Sequence, residues 1–563
     1  MFRPAVNGAP VQKWRCVWKV FSRFVCPRGF CQHGTVIGSR KCLALEKKVI
    51  LSSGNVRPLA ALEGSVLPAG PAVRSRKVKL HRVRDENFSY QRGDPSRTPL
   101  ILWSKGMSEL RKDSLSFIEA LGQSVANVSP TLTPTIAVAV VAGMAGSASW
   151  LVYVLATISL VIVGINVGKL ASKISAAGSF FIYVSRGLGP FWGLLSGWAM
   201  IAAYLFTAMA LTAATALFLQ DLLTSLGGPT LPSAIFFLVI SGAVWLFAVR
   251  DIRISSRIGL TIEVISMTII LIVCFISWNA HGFTVDVKQV HLEGSSFTAV
   301  AQAIVFGIFS YVGFESAATL GKETRNPKTV IPRAVILTPI IAGVFFIFTT
   351  YIISQGFGDD ATKLGGSSGP LTDLLVGGNV ALINIVYIGA AISCFACALA
   401  SINAFSRMLF SLGRYKFVHE VVGKVHNDHK TPHVAATIGV ILNFLVCAAF
   451  SAQTNPNLLG YFGTIASFGF IIVYMLCSIA APVLLRKTGE AKPVDYVMGG
   501  LGTVLMVLSL IGSVYPVPAY PYNILPYGFA IYMVLGVLWF LALKMRMPHI
   551  LSGVEHELEV AVA

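Results

Sequence analysis

Glu263 and Glu315 each lie inside a long apolar stretch of this 563-residue chain. A carboxylate at that depth in a bilayer is costly, so it marks an ion path, a proton relay or a buried hydrogen bond. Around Glu315 the chain is weakened: Gly307, Ser310 and Gly313 interrupt the apolar run, and Asn326-Pro327 and Ile331-Pro332 follow it. A second weak stretch passes from Val125 through Ala126, Asn127, Val128 and Ser129 to Pro130 and Pro134. Each proline removes a backbone donor and crowds the preceding turn. A helix that breaks inside a membrane frees N–H and C=O groups. Those groups suit a solute carrying both charges, N–H toward a carboxylate and C=O toward an ammonium.

Other constellations offer less. Glu263 has two readings, a carrier of a coupling proton or an interfacial partner of Arg257 or Arg253. Glu315 reads equally as a proton carrier or as a structural acceptor beside the broken backbone, and Glu119 as interfacial. Glu323, Arg325 and Arg333 form an expected charge network at the inner face, a gate or a loop anchor. His426, His429 and His433 have a metal-like spacing but sit in a basic loop with only Asp428 nearby, which favours a solvated loop. Cys26, Cys31, His33 and Cys42 fit no common zinc spacing. Cys394 and Cys397 read as packing. Ser401, Asn403, Tyr204 and Ser467 either line a path or bond between helices. No G-x-x-x-x-G-K-S/T loop and no hydrolase pattern is present. No metal, cofactor or enzymatic activity is expected.

The elements that must position these residues follow from composition. The chain is 55% hydrophobic and 12% charged, too little charge to cover a soluble protein of this size. Repeated apolar runs of about 20 residues indicate an all-α polytopic membrane protein. Twelve runs are expected, near 115–142, 147–168, 190–220, 231–249, 255–277 and 297–320, then 333–355, 380–411, 433–452, 460–485, 497–516 and 524–545. Lys and Arg recur in the loops on one side, from Lys169 and Lys173 to Lys544 and Arg546, whereas the opposite side holds only Lys288 and Lys363. That bias places both termini in the cytoplasm. The weak runs are the first and the sixth, five helices apart, the register of two five-helix repeats.

The net charge of +19 is uneven, with 20 Lys and Arg against 5 Asp and Glu in residues 1–106. The basicity belongs to this tail, so nucleic acid is not implied. The tail lacks helical or strand periodicity and reads as disordered. A basic arm on anionic lipid is one alternative. The favoured expectation is a gene-model extension, because Met107 opens a short polar lead into the first apolar run. Residues 107–546 then form the membrane domain and 547–563 a cytoplasmic tail.

The motif Phe309-Ser310-Tyr311-Val312-Gly313-Phe314-Glu315 resembles the helix-six signature of amino acid permeases of the amino acid–polyamine–organocation family. Glu323-Thr324-Arg325-Asn326-Pro327, Gly178-Ser179-Phe180-Phe181-Ile182-Tyr183 and Thr431-Pro432-His433 are similar to further family blocks. The resemblance covers roughly 110–546. It implies a LeuT-like fold of 5+5 inverted repeats with discontinuous helices one and six, plus two further helices. It implies that the backbone of Val125, Ala126, Asn127, Val128 and Ser129 meets a substrate carboxylate. The carbonyls of Phe309, Ser310 and Val312 would meet its amino group, next to Gly313, with Phe309 as aromatic cover. Many proton-coupled members carry a helix-five Lys where this chain has Ser266, so a Lys-based coupling is not expected. The expectation is a secondary active transporter in the cell membrane. It imports an amino acid or close amine by alternating access, with H⁺ coupling or exchange. A polyamine permease and a transporter-like nutrient sensor are the alternatives. Few acidic groups at depth favour a zwitterion over a polyamine.

Overall fold

The computed structural model describes residues 110, 112–174, 179–250, 252–375, 380–518 and 520–546. The tail, with Met107 and the Cys26–Cys42 group, lies outside the described residues, as do Gly178 and 547–563. Among the described residues the chain is helical, with one isolated bridge between Leu115 and Thr324. The helices are α1 Phe117–Val128, α2 Val138–Ala145, α3 Ser149–Lys173, α4 Ser179–Leu188, α5 Pro190–Ser225 and α6 Ser233–Val249. Next come α7 Ile252–Ala280, α8 Val287–His291, α9 Phe297–Phe309, α10 Pro327–Gly356, α11 Ala361–Gly365 and α12 Pro370–Asp373. The last five are α13 Val380–Arg414, α14 His433–Ala449, α15 Asn455–Lys487, α16 Pro493–Gly512 and α17 Leu525–Arg546.

Among the described residues eight helical stretches are long and apolar enough to cross a membrane. The twelve expected runs differ from these eight for a physical reason. The first two merge into one stretch, Phe117–Lys173, while α6, α9 and α14 are apolar but only 17, 13 and 17 residues long. A straight span needs about 20 residues. Large apolar side chains such as Leu238, Val264 and Leu538 face outward, as a lipid-facing surface requires.

Helix ends are set by local chemistry. Ser116 and Glu119 form a reciprocal cap at the start of α1. Ser296 accepts from the Ala299 N–H at the start of α9, and Pro327 opens α10 where its missing donor costs nothing. Inside the bundle, α5 packs along α13 and α15, and α10 packs along α3. Lipid tails are as apolar as leucine, so close approach rather than burial from water drives such contacts. Gly343 of α10 meets Thr157 of α3 so closely that a Cβ there would overlap it, and a Cβ on Gly164 would lie 3.2 Å from the Val335 carbonyl oxygen.

Candidate functional site

Both weak stretches leave the helix. Helix α1 ends at Val128, and Ser129 takes a left-handed conformation with φ 50°. A π turn over Thr133–Ala137, with Pro134 in it, then leads into α2. Helix α9 ends at Phe309, turns run through Gly313 at φ 95°, and a short 3₁₀ turn spans Ser316–Thr319. Glycine is required at 313 on two counts: the positive φ disfavours any L side chain, and a Cβ would overlap the Asn127 amide.

The two irregular stretches lie against each other. The Asn127 Nδ2 donates to the Gly313 carbonyl at 3.4 Å, and the Ser401 hydroxyl of α13 donates to Asn127 Oδ1 at 2.6 Å. The Cys397 thiol donates to the Asn127 carbonyl at 2.9 Å. The Ser316 hydroxyl donates to the Gln123 carbonyl, and the Ala317 N–H to Ser124 Oγ. Phe309 carbonyl oxygen accepts from the Val312 N–H. Among the described residues no backbone N–H donates to the carbonyls of Ser310 or Val312. Val125, Ala126, Val128, Ser129, Ser310, Val312 and Gly313 are all buried.

Glu263 is fully buried on α7. Its Oε1 accepts from the Ser393 hydroxyl of α13 at 2.7 Å and its Oε2 from Thr131 at 3.5 Å. Ser393 also pairs with Ser129 Oγ at 2.9 Å. This corrects the interfacial reading. Arg257 instead pairs with Glu119, at 2.5 Å, two helical turns nearer the helix end, and the Arg253 side chain lies outside the described residues. Glu119 is itself buried, although the Arg257 that holds it is exposed. Ser266 donates to the Gly389 carbonyl at 3.3 Å and does not reach Ser393. Glu315 accepts from the Tyr204 hydroxyl at 2.9 Å and from Tyr474, so Tyr204 is an interhelical donor.

The Glu323 network is also corrected. Glu323 pairs with Arg407 of α13, both side chains 1% exposed, through Nε at 2.5 Å and Nη2 at 2.9 Å. Arg325 instead donates to the Asp113 carbonyl, and Arg333 is exposed. The backbone closes the same end: the N–H groups of Ser114 and Leu115 donate to the Glu323 carbonyl, and the Arg325 N–H donates to the Leu115 carbonyl. Sequence reasoning counted Arg407 only as a basic loop residue. Its place within the apolar run 380–411 was the missed signal, because an arginine at depth needs an acidic partner. Ser393 and Thr131 gave no signal beyond being hydroxyls in apolar helices.

Toward the opposite end, a cavity of about 620 Å³ lies between the breaks and Gly365, Ser367, Ser368, Pro516, Val517, Pro518 and Tyr522. Phe309 and Ser467 are in its wall. The arrangement offers facing peptide groups, a buried carboxyl bonded by hydroxyls, one end bridged by the Glu323–Arg407 pair and a cavity toward the other.

A family model described as amino acid permease matches residues 120–548. The chain is 25% identical over 373 residues to the low-affinity putrescine importer PlaP of Escherichia coli K12, covering 64% of this chain and 80% of that protein. It is 20% identical to the branched-chain amino acid permease BcaP of Bacillus subtilis, covering 61% of this chain and 75% of that one. It is 23% identical to the serine/threonine exchanger SteT of the same organism, covering 62% and 77%.

Proposed function

The chain belongs to the amino acid permease family, and we propose that it is a secondary active transporter importing an amino acid across the cytoplasmic membrane by alternating access. The observation that carries this reading is the bond from Asn127 to the Gly313 carbonyl, which holds two broken helices face to face. Peptide groups freed at such breaks bind small charged solutes. In this reading the backbone at Val125–Ser129 receives the carboxylate, and the open carbonyls of Ser310 and Val312 receive the ammonium. The twelve apolar runs form two inverted five-helix repeats and two further helices, with both termini cytoplasmic. The sealed basic end and the hollow opposite end then correspond to an outward-facing arrangement.

Coupling to H⁺ is assigned to Glu263. Its carboxyl is held by hydroxyls alone, and among the described residues no Lys or Arg pairs with it. The Ser393 hydroxyl links it to Ser129 at the first break, so a change in its protonation alters the hydrogen bonding of the binding backbone. Ser266, a neutral hydroxyl bonded elsewhere, has no charge to contribute. Glu315 has two tyrosine donors and is read as a brace for the second break.

The test is uptake of labelled amino acids by proteoliposomes with and without an inward pH gradient. Glu263→Gln should transport with a flat pH profile and lose accumulation driven by the gradient. A gradient response equal to wild type removes Glu263 from coupling, and absence of uptake by the wild type across the whole panel overturns the transport reading.

A further inference from the structure

The names of the similar proteins span a diamine, branched-chain and hydroxylated amino acids, so the family alone leaves the solute open. The cavity beside the second break narrows it. Its wall is built from side chains such as Leu132, Ile136, Phe306, Phe309, Leu459 and Phe468. Among the described residues no Asp, Glu, Lys, Arg or His lines it, and its polar side chains are amide or hydroxyl groups such as Gln302, Thr464 and Ser467. At about 620 Å³ it has the size of a small-molecule site. It is continuous with the break through Phe309, the last residue of α9 and the neighbour of Ser310. The Phe309 ring lies on Gly463 of α15, where any Cβ would overlap it, so a bare glycine fixes the ring in the wall.

We propose, resting on the transport reading above, that this chain selects neutral amino acids with large apolar side chains, the side chain entering this cavity while the charged head group stays at the break. The chemistry of the wall decides against the competing solutes. A diamine brings a second cation, and no described residue of the wall supplies an anion for it. A small hydroxylated side chain leaves most of the volume unfilled and gains little. A large apolar side chain gains about three- to fourfold in affinity for each methylene it buries. The hydroxyls of Thr464 and Ser467 do not offset this, since each already donates to a carbonyl of its own helix.

The experiment uses the full chain in liposomes with labelled leucine, phenylalanine, alanine, serine and putrescine at matched concentrations. Leucine and phenylalanine should exceed alanine and serine by about tenfold or more in kcat/KM, three buried carbons being discounted for incomplete burial. Putrescine should not be taken up. Ile136→Ser and Leu459→Ser should each lower the leucine-to-serine ratio about fivefold, a ratio taken within one preparation so that lost stability or yield cancels. Serine or putrescine transported as well as leucine overturns this inference and leaves the transport reading standing. No saturable uptake of any solute overturns both. A leucine preference that neither serine variant moves overturns the cavity assignment.

Discussion

Glu323→Gln tests the Glu323–Arg407 pair as a seal of the basic end, which the outward-facing reading requires. The Glu323–Arg407 pair is 1% exposed on both sides, and Arg407 also donates to the Asn403 carbonyl at 2.9 Å. Glutamine keeps the shape but leaves the guanidinium buried without an anion. Removing one partner of a buried pair costs about 3–5 kcal/mol, because the remaining charge stays desolvated. The cost falls on the sealed arrangement alone, since opening admits water to Arg407. The bonds from Ser114, Leu115 and Arg325 survive, so the lower figure applies. About 3 kcal/mol corresponds to roughly a hundredfold shift toward states open at that end. The readout is the labelling rate of Thr319→Cys, a fully buried position of the turn beside the pair, by a membrane-impermeant thiol reagent added to inside-out vesicles. The background replaces Cys16, Cys26, Cys31 and Cys42 by serine; the five cysteines of the helices are buried. Glu323→Gln should raise the rate by one to two decades, and Glu323→Leu with Arg407→Met should bring it back toward wild type, since a matched apolar pair often replaces a buried ion pair without loss. Equal labelling of wild type and Glu323→Gln would refute the assignment of the pair as a seal.

Two further predictions concern the second break and the loops of the opposite end. Gly313→Ala adds a Cβ at φ 95° against the Asn127 amide; strain of about 1–3 kcal/mol at the binding backbone should cut uptake at least tenfold while insertion, followed by fluorescence-detected size exclusion, stays normal. Asp359 is pushed up to about 7 by burial and by the carboxyl of Asp286, with Lys288 opposing. Asp286 is lowered against its own burial by the Gln289 side chain and by the N–H groups of Gln289 and Lys288. A raised carboxyl gives stability that is complete below the ordinary carboxylate range and lost as pH rises through about 7. Hydrogen exchange in segments 281–296 and 357–375, corrected for intrinsic rates, should therefore show less protection at pH 8.5 than at pH 5.5. Asp359→Asn should abolish the difference, and equal wild-type protection at both values would contradict the raised Asp359 carboxyl.

The helical, membrane-spanning character was legible because it rests on local composition, which no distant contact alters. The breaks were legible for a similar reason: Pro130, Pro134 and Gly313 weaken a helix wherever it packs. Partners were not. Glu263 reads from its own helix as a neighbour of Arg257, yet α1 and α7 meet so that Glu119 takes the arginine and Ser393 of α13 takes the glutamate. Arg407 was misread because proximity to a loop was weighed above its depth. Side-chain pairing across helices depends on rotation and crossing, and one sequence carries no record of either.

The tight seam between α3 and α10 bears on which parts can move. With Gly343 pressed on Thr157 and Gly164 on the Val335 carbonyl, sliding of one helix past the other is opposed: a shift of one turn would bring Pro339 or Ile347 to the notch that Gly343 now fills. Thr157 also shares a hydrogen bond of 2.7 Å with the Tyr311 hydroxyl, just beyond Phe309. On the proposed alternating-access reading, these two helices would move together, with the second break attached to them through Tyr311.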